Sequence, residues 1–344
     1  MSHNTFYCIC MSDIIKSINH EHETQKQYYQ EQTILRRRTH IMISIVSLNN
    51  KRSWRATLLE KIIRPIPLVK DERKEQNFEK ALIDSETPYT LPKAAQKKFN
   101  IHKVAQIDET TFEIQPQNKK ISKTIYYLHG GAYWWQPSNL HFKMLQKLAD
   151  ANQARVIIPV YPKSPRYTAN DVLPYILDNY KKTINKYHIM SSALTLMGDS
   201  AGGGLCLSLL QLLEHETIAQ PHRVILFSPW LDISNSNPDM KSIQHTDPLL
   251  NIEALAYQGE IYSGSFKTDA PLVSPINADF RKFPPVDIFS GTHDILYDDV
   301  KKLSRRDNDN VNFYIFPKMN HVFVTFTVPE AEKALSIVQQ LITY

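Results

Sequence analysis

Leu194-Thr195-Leu196-Met197-Gly198-Asp199-Ser200-Ala201-Gly202-Gly203-Gly204-Leu205 is the stretch that decides the fold. An apolar run ends at Gly198, a serine follows two places on, and an apolar helical stretch continues through Leu213. Strand, Gly-x-Ser-x-Gly and helix in that order make a turn so sharp that the positions two before and two after the serine must be nearly without side chains. Ser200 is thereby pushed into an exposed, strained backbone position. Its own amide and the start of the helix face whatever its oxygen attacks. Glycine usage supports this. The 344 residues include nine glycines, less than half of the usual share of about 7 %. Seven of the nine fall at three places, Gly130–Gly131, Gly198 with Gly202–Gly204, and Gly291.

Around this turn, short β-rich runs alternate with helical stretches. The runs are 124–128, 155–160, 194–197, 223–227, 286–289 and 311–316, and the helical stretches fall near 138–151, 170–186, 201–215 and 329–343. Several runs are apolar on both faces, as parallel strands between helix layers must be. The alternation predicts an α/β fold with a mostly parallel central sheet flanked by helices. Residues 232–283 break it with Pro238, Pro248, Pro271 and Pro275 and are expected to form an insertion beside the site. Residues 53–64 read as a basic amphipathic helix, with Trp54, Leu58, Leu59, Ile62 and Ile63 on one face, docked on its own protein. Three segments result: a polar extension over 1–45 that is expected to lack regular structure, a helical segment over 46–100, and a catalytic body over 101–344.

Two more of the glycine sites complete a chemistry. Tyr126-Tyr127-Leu128 ends a strand and His129-Gly130-Gly131-Ala132-Tyr133-Trp134-Trp135 follows. Acyl transfer through a tetrahedral intermediate needs N–H donors aimed at the developing oxyanion. The expected donors are the amides of Gly130, Gly131 and Ala201, with His129 bracing the loop. Tyr133, Trp134 and Trp135 are candidates for lining a substrate pocket or for packing the core. A serine hydroxyl also needs a base, and the base an orienting acid. The loops after two late strands supply both, in the order serine, acid, histidine: Gly291-Thr292-His293-Asp294, and Pro317-Lys318-Met319-Asn320-His321. Asp294 is assigned as acid and His321 as base. His293 competes as base, and Asp298 and Asp299 as acids.

Composition narrows the rest. The net charge of +5 sits at the front, where residues 1–100 hold 17 basic and 11 acidic side chains and the remainder 23 and 24. That argues against nucleic-acid binding by the catalytic body. Cys8, Cys10 and Cys206 form no disulfide framework and have no zinc spacing, so no metal is expected. No apolar run reaches the roughly 18 residues that span a bilayer. Arg36-Arg37-Arg38 before Ile41–Val46 only loosely imitates a signal peptide, because no cleavage site follows. The chain is read as cytoplasmic, with a small-molecule substrate, no membrane insertion, and a homodimer left open.

Together these residues resemble the hormone-sensitive-lipase branch of the α/β-hydrolases, whose bacterial members are carboxylesterases. The likeness spans about residues 100–344. It rests on His129–Gly131, Gly198-Asp199-Ser200-Ala201-Gly202-Gly203, Ser228-Pro229-Trp230-Leu231-Asp232, Asp294 with Leu296 and Asp298, and His321 with Phe323. The resemblance implies an α/β-hydrolase fold, a cofactor-free serine esterase, and a cap built here from residues 50–100 and part of 232–283. Two positions depart from the pattern. Ala132 stands where the family usually has a third glycine, and Tyr161-Pro162-Lys163-Ser164-Pro165-Arg166 replaces the family's Tyr-Arg-Leu-Ala-Pro-Glu. The expected activity is hydrolysis of short- to medium-chain carboxylic esters through an acyl-enzyme. Cleavage of amides or peptides by the same triad is the alternative, and a non-catalytic ligand-binding protein on the same fold is a third reading.

Overall fold

A computed structural model describes residues 43–44, 52–65, 73–117, 120–306 and 308–343. Cys8, Cys10, Arg36–Arg38, Met42 and nearly all of the N-terminal extension lie outside the described residues. The strands are β1 (Ile43–Ser44), β2 (Ile101–Lys103), β3 (Thr111–Ile114), β4 (Lys123–Leu128), β5 (Ala154–Pro159), β6 (Leu194–Asp199), β7 (Arg223–Phe227), β8 (Val286–His293) and β9 (Val311–Asn320). The helices are α1 (Trp54–Ile63), α2 (Glu75–Glu86), α3 (Lys93–Lys98), α4 (Asn139–Asn152), α5 (Ala169–Tyr187), α6 (Ser200–His215), α7 (Met240–Ile243), α8 (Ile252–Ser263), α9 (Tyr297–Leu303) and α10 (Pro329–Thr343).

All nine strands among the described residues join one sheet in the order β1-β9-β8-β7-β6-β4-β5-β3-β2. Every pairing from β1 across to β5 is parallel, and β3 runs antiparallel to both of its neighbours. This is the α/β architecture expected from the alternation. The central strands β4, β6 and β7 are buried almost end to end, as a sheet covered on both faces requires. One apolar cluster fills the face under α5 and α6, and a second the face under α4 and α10.

The strand–helix alternation matches the sequence expectation closely, with α4, α5, α6 and α10 within two residues of the expected bounds. The hairpin β2–β3 was not expected. Both strands are short, and Val104 through Thr110 forms a turn held by Val104 N donating to Thr111 O.

Helix α1 forms where expected, but only the Leu59 and Ile63 side of the expected face turns inward. Ala56 and Ile63 are buried, whereas Trp54, Leu58 and Ile62 are 71 %, 49 % and 54 % exposed. The inward face is set by polar anchors that a hydrophobic-face argument does not weigh. Ser53 donates from its amide and hydroxyl to Glu330, and Glu60 faces His293. Arg64 donates to the carbonyls of His245 and Thr246 at 3.0 and 2.8 Å.

Candidate active site

The carboxyl ends of adjacent strands bring the expected residues to one edge of the sheet, where open α/β sheets place their sites. Ser200 directly follows β6, the His129 loop follows β4, Asp294 follows β8, and His321 follows β9.

At the serine the backbone is left-handed, with φ +51°. A residue with a Cβ pays roughly 1–2 kcal/mol for that conformation. The surrounding glycines serve a different need, that of close approach. A Cβ on Gly198 would lie 2.5 Å from Gly202 O, and one on Gly202 would lie 2.0 Å from Leu128 O. Helix α6 therefore runs against the end of β4 with no room for a methyl group. Trp230 N donates to Ser200 O at 2.9 Å and fixes the turn from the far side.

His321 and Asp294 meet the serine in line. His321 Nδ1 lies 2.9 Å from Asp294 Oδ2, and its Nε2 lies 2.9 Å from Ser200 Oγ. The carboxylate can only accept, so Nδ1 carries the proton and Nε2 is left to accept from the serine hydroxyl. Asp294 is wholly buried, His321 6 % exposed and Ser200 8 % exposed. Burial works against the charged imidazolium, but Asp294 outweighs it, with help from Asp247 and Asp199, so the His321 pKa sits above its ordinary value. The loop itself is pinned by Val322 N donating to Ser228 Oγ at 3.1 Å, and Leu296 N donates to Asp294 Oδ1 at 2.9 Å. Such a line can pull a proton from Oγ as the oxygen attacks and hold the resulting imidazolium.

The competitors are engaged elsewhere. His293 donates to Glu60 at 3.3 Å, Asp298 binds Lys301, and Asp299 accepts from Asn237.

The oxyanion loop requires one correction. The Gly130 amide donates to Asp199 Oδ1 at 2.8 Å, so it is committed to the loop's own support and cannot meet a developing charge. The next amides, of Gly131 and Ala132, have no such bond among the described residues. The chain there is left-handed for three residues, with φ +119° at Gly131, +51° at Ala132 and +66° at Tyr133. A glycine at position 132 would hold that shape without Cβ strain, and this chain holds it with alanine.

Asp199, the residue between Gly198 and Ser200, is the hub that sequence reasoning missed. Besides Gly130 it accepts from Tyr127 Oη at 2.6 Å and from His141 Nε2 at 3.2 Å. Burial raises its pKa, but these donors and His141 outweigh that, and it sits below the ordinary carboxylate value. Nothing in the bare Gly-x-Ser-x-Gly pattern signals this role. His129 braces the loop as expected. It donates from Nδ1 to Gly130 O, its ring stacks on Tyr161 at 4.5 Å, and Tyr161 Oη donates to His129 O at 2.8 Å. Burial holds its pKa well below the ordinary value, so it stays neutral.

Tyr133 and Trp134 pack in the core. They are 1 % and 2 % exposed. Tyr133 stacks on Tyr262 at 3.5 Å, and Trp134 meets Phe78 edge-on at 6.1 Å and donates to Gln258 O at 3.3 Å. The oxyanion loop is thereby packed against α2 and α8. Trp135 is partly buried against the same cluster.

With this geometry established, residues 125–325 match the sequence profile of the α/β hydrolase fold. The chain belongs to the α/β hydrolase family. An esterase of Acinetobacter venetianus is 29 % identical to this α/β hydrolase over 228 residues, 64 % of this chain and 75 % of that one. An acetyl-hydrolase of Streptomyces hygroscopicus is 26 % identical over 239 residues, 68 % of this chain and 80 % of that one. A crystal structure from Staphylococcus aureus superposes with a TM-score of 0.74 at 27 % identity, covering 82 % of this chain and 96 % of that one. An esterase from the bacterial hormone-sensitive lipase family shares the fold, with a TM-score of 0.72 at 22 % identity over 85 % and 98 % of the two chains. Among the described residues, no helix is long and apolar enough to cross a membrane, and no group of three His, Cys, Asp or Glu side chains could hold a metal ion.

Proposed function

We propose that this α/β hydrolase is a serine carboxylesterase that cleaves short- to medium-chain esters through an acyl-enzyme. The observation that carries the reading is the unbroken line Ser200–His321–Asp294, with 2.9 Å at each step. Ser200 Oγ attacks the ester carbonyl as His321 Nε2 takes its proton, and Asp294 stabilises the imidazolium. The amides of Gly131, Ala132 and Ala201 receive the oxyanion, in place of the set led by Gly130. His321 then protonates the leaving alcohol, and a water molecule activated by the same imidazole releases the acid. The names of the relatives, esterase and acetyl-hydrolase, favour an ester with a small acyl group. In this reading residues 50–100, with α1 and α2, and part of the 232–283 insertion form the cap, which agrees with the packing of Trp134 against Phe78 and Gln258.

Ser200→Ala is expected to reduce turnover of p-nitrophenyl acetate by several orders of magnitude and to abolish labelling by a fluorophosphonate. Wild-type activity or labelling in that variant refutes the assignment.

A further inference from the structure

The acid of the catalytic line does not stand alone. Asp247 belongs to the insertion after β7, far from Asp294 in sequence, yet its two oxygens join both segments. Oδ1 accepts from Leu249 N and Leu250 N at 2.8 and 3.0 Å, and Oδ2 accepts from Ile295 N at 2.9 Å. Ile295 is the residue after Asp294, whose own Oδ1 accepts from Leu296 N. Two carboxylates thus hold consecutive amides of one turn. Asp247 is 7 % exposed, and an ionised group this deep is costly unless its charge is used or its bonds are essential.

We infer that Asp247 is a positioning residue of the active site, which fixes the turn bearing Asp294 and adds a second negative charge behind the Asp294–His321 pair. The inference rests on the reading of His321 as the base.

The electrostatics agree in direction. Burial and the neighbouring Asp294 push the Asp247 carboxyl up to about 6, against the pull of His321 and the amides of Ile295 and Leu250. The three amides that donate to its oxygens favour the ionised form. His321 is faced by three carboxylates, Asp294, Asp247 and Asp199, all of which favour its charged form against burial. On the outer side Glu60 and His293 pair with each other, and Arg64 binds the carbonyls of the two residues before Asp247. These outer groups steady the segment and leave Asp247 as the added charge on the imidazole.

The test is Asp247→Asn, with kcat/KM for p-nitrophenyl acetate measured from pH 4.5 to 9. Asparagine keeps an acceptor for Leu249 and Leu250, but it turns a donor toward Ile295 N and removes the charge. With less negative charge nearby, the His321 pKa falls. The acid limb of the profile is therefore expected to move to lower pH. Plateau kcat is expected to drop on the order of tenfold from the loosened Asp294 turn, with KM within about twofold. A role confined to folding would lower activity without moving the limb, and that result overturns the inference, as does a wild-type profile. Should asparagine not fold, Asp247→Ser repeats the test, because its hydroxyl can still accept from Leu249 and Leu250. Arg64→Gln separates the two effects, since it loosens the segment and keeps the carboxylate; a shift of its limb as large as that of Asp247→Asn also counts against the charge. Hydrolysis that depends on Ser200 with an unmoved limb defeats this inference alone, whereas hydrolysis independent of Ser200 defeats the ester reading and this inference with it.

Discussion

Asp199 offers the sharpest test of how the site is held together. Asp199→Ala would leave Tyr127 Oη and the Gly130 amide without an acceptor, and both residues are buried. Each buried donor left unpaired costs about 1–3 kcal/mol, so the pair costs roughly 2–6 kcal/mol. That is a large part of the 5–15 kcal/mol that typically separates folded from unfolded protein. Asp199→Asn should behave differently, because both buried donors bond to the same oxygen, Oδ1. An amide oxygen can keep both. Only the Oδ2 bond is lost, to a His141 ring that is 14 % exposed and held in its tautomer by Ser138 N donating to Nδ1. Losing that charge-assisted bond at a partly hydrated site costs about 1–2 kcal/mol. The expected order is therefore wild type, then asparagine, then alanine, with the larger gap between the two variants. Urea unfolding at pH 7 with an unchanged m-value would read it directly. An alanine variant within about 1 kcal/mol of wild type, or an asparagine variant as unstable as alanine, would show that the hub does not carry the oxyanion loop.

Two further outcomes follow from buried groups around the site. Asp299 is pushed up to about 7, chiefly by burial, with Asn237 donating to its Oδ1. Because its folded pKa exceeds its unfolded value, its contribution to stability is complete below pH 4 and is lost as pH rises through 7, a gross cost of about 4 kcal/mol at pH 8. Asp299→Asn keeps the acceptor for Asn237 but places an unpaired NH2 where Oδ2 already lacks a partner, so it should gain about 2 kcal/mol over wild type at pH 8 and lose that advantage at pH 4; equal gains at both pH values in thermal melts would contradict this. Gly202→Ala sets a methyl 2.0 Å from Leu128 O and 2.6 Å from His129 O, so α6 must retreat from the oxyanion loop. Activity should fall by about a hundredfold and stability by 1–3 kcal/mol or more, and a variant with wild-type kcat would disprove that this contact sets the geometry.

The fold was legible because it is written in periodicity. Runs such as 223–227 and 194–197 are apolar on both faces, and only a strand between two helix layers satisfies that pattern. The nucleophile turn was legible because steric exclusion leaves a compositional trace: Gly198 and Gly202 sit where a Cβ would strike backbone. What the sequence concealed were contacts between polar groups far apart along the chain. Asp199 and Asp247 look like any other aspartates in a row, since a hydrogen bond to a distant amide has no period. The same blindness rotated α1 away from its true orientation. A hydrophobic stripe predicted the buried face, while the bonds from Ser53 to Glu330 and from His293 to Glu60 left Trp54, Leu58 and Ile62 of that stripe outside.

Gly130 shows why motif positions do not carry roles by themselves. Both glycines of the pair are equally small and sit in the same loop, so spacing alone cannot rank them. What ranks them is Asp199. A carboxylate in a dry interior must be met by donors, and the amide that meets it is the Gly130 amide. Once spent there, that N–H cannot also be offered to an oxyanion. The loop is thus divided between a residue that is held and residues that are free to hold. In the proposed mechanism the left-handed turn at Gly131 and Ala132, which lies just beyond the held amide, supplies the donors to the oxyanion.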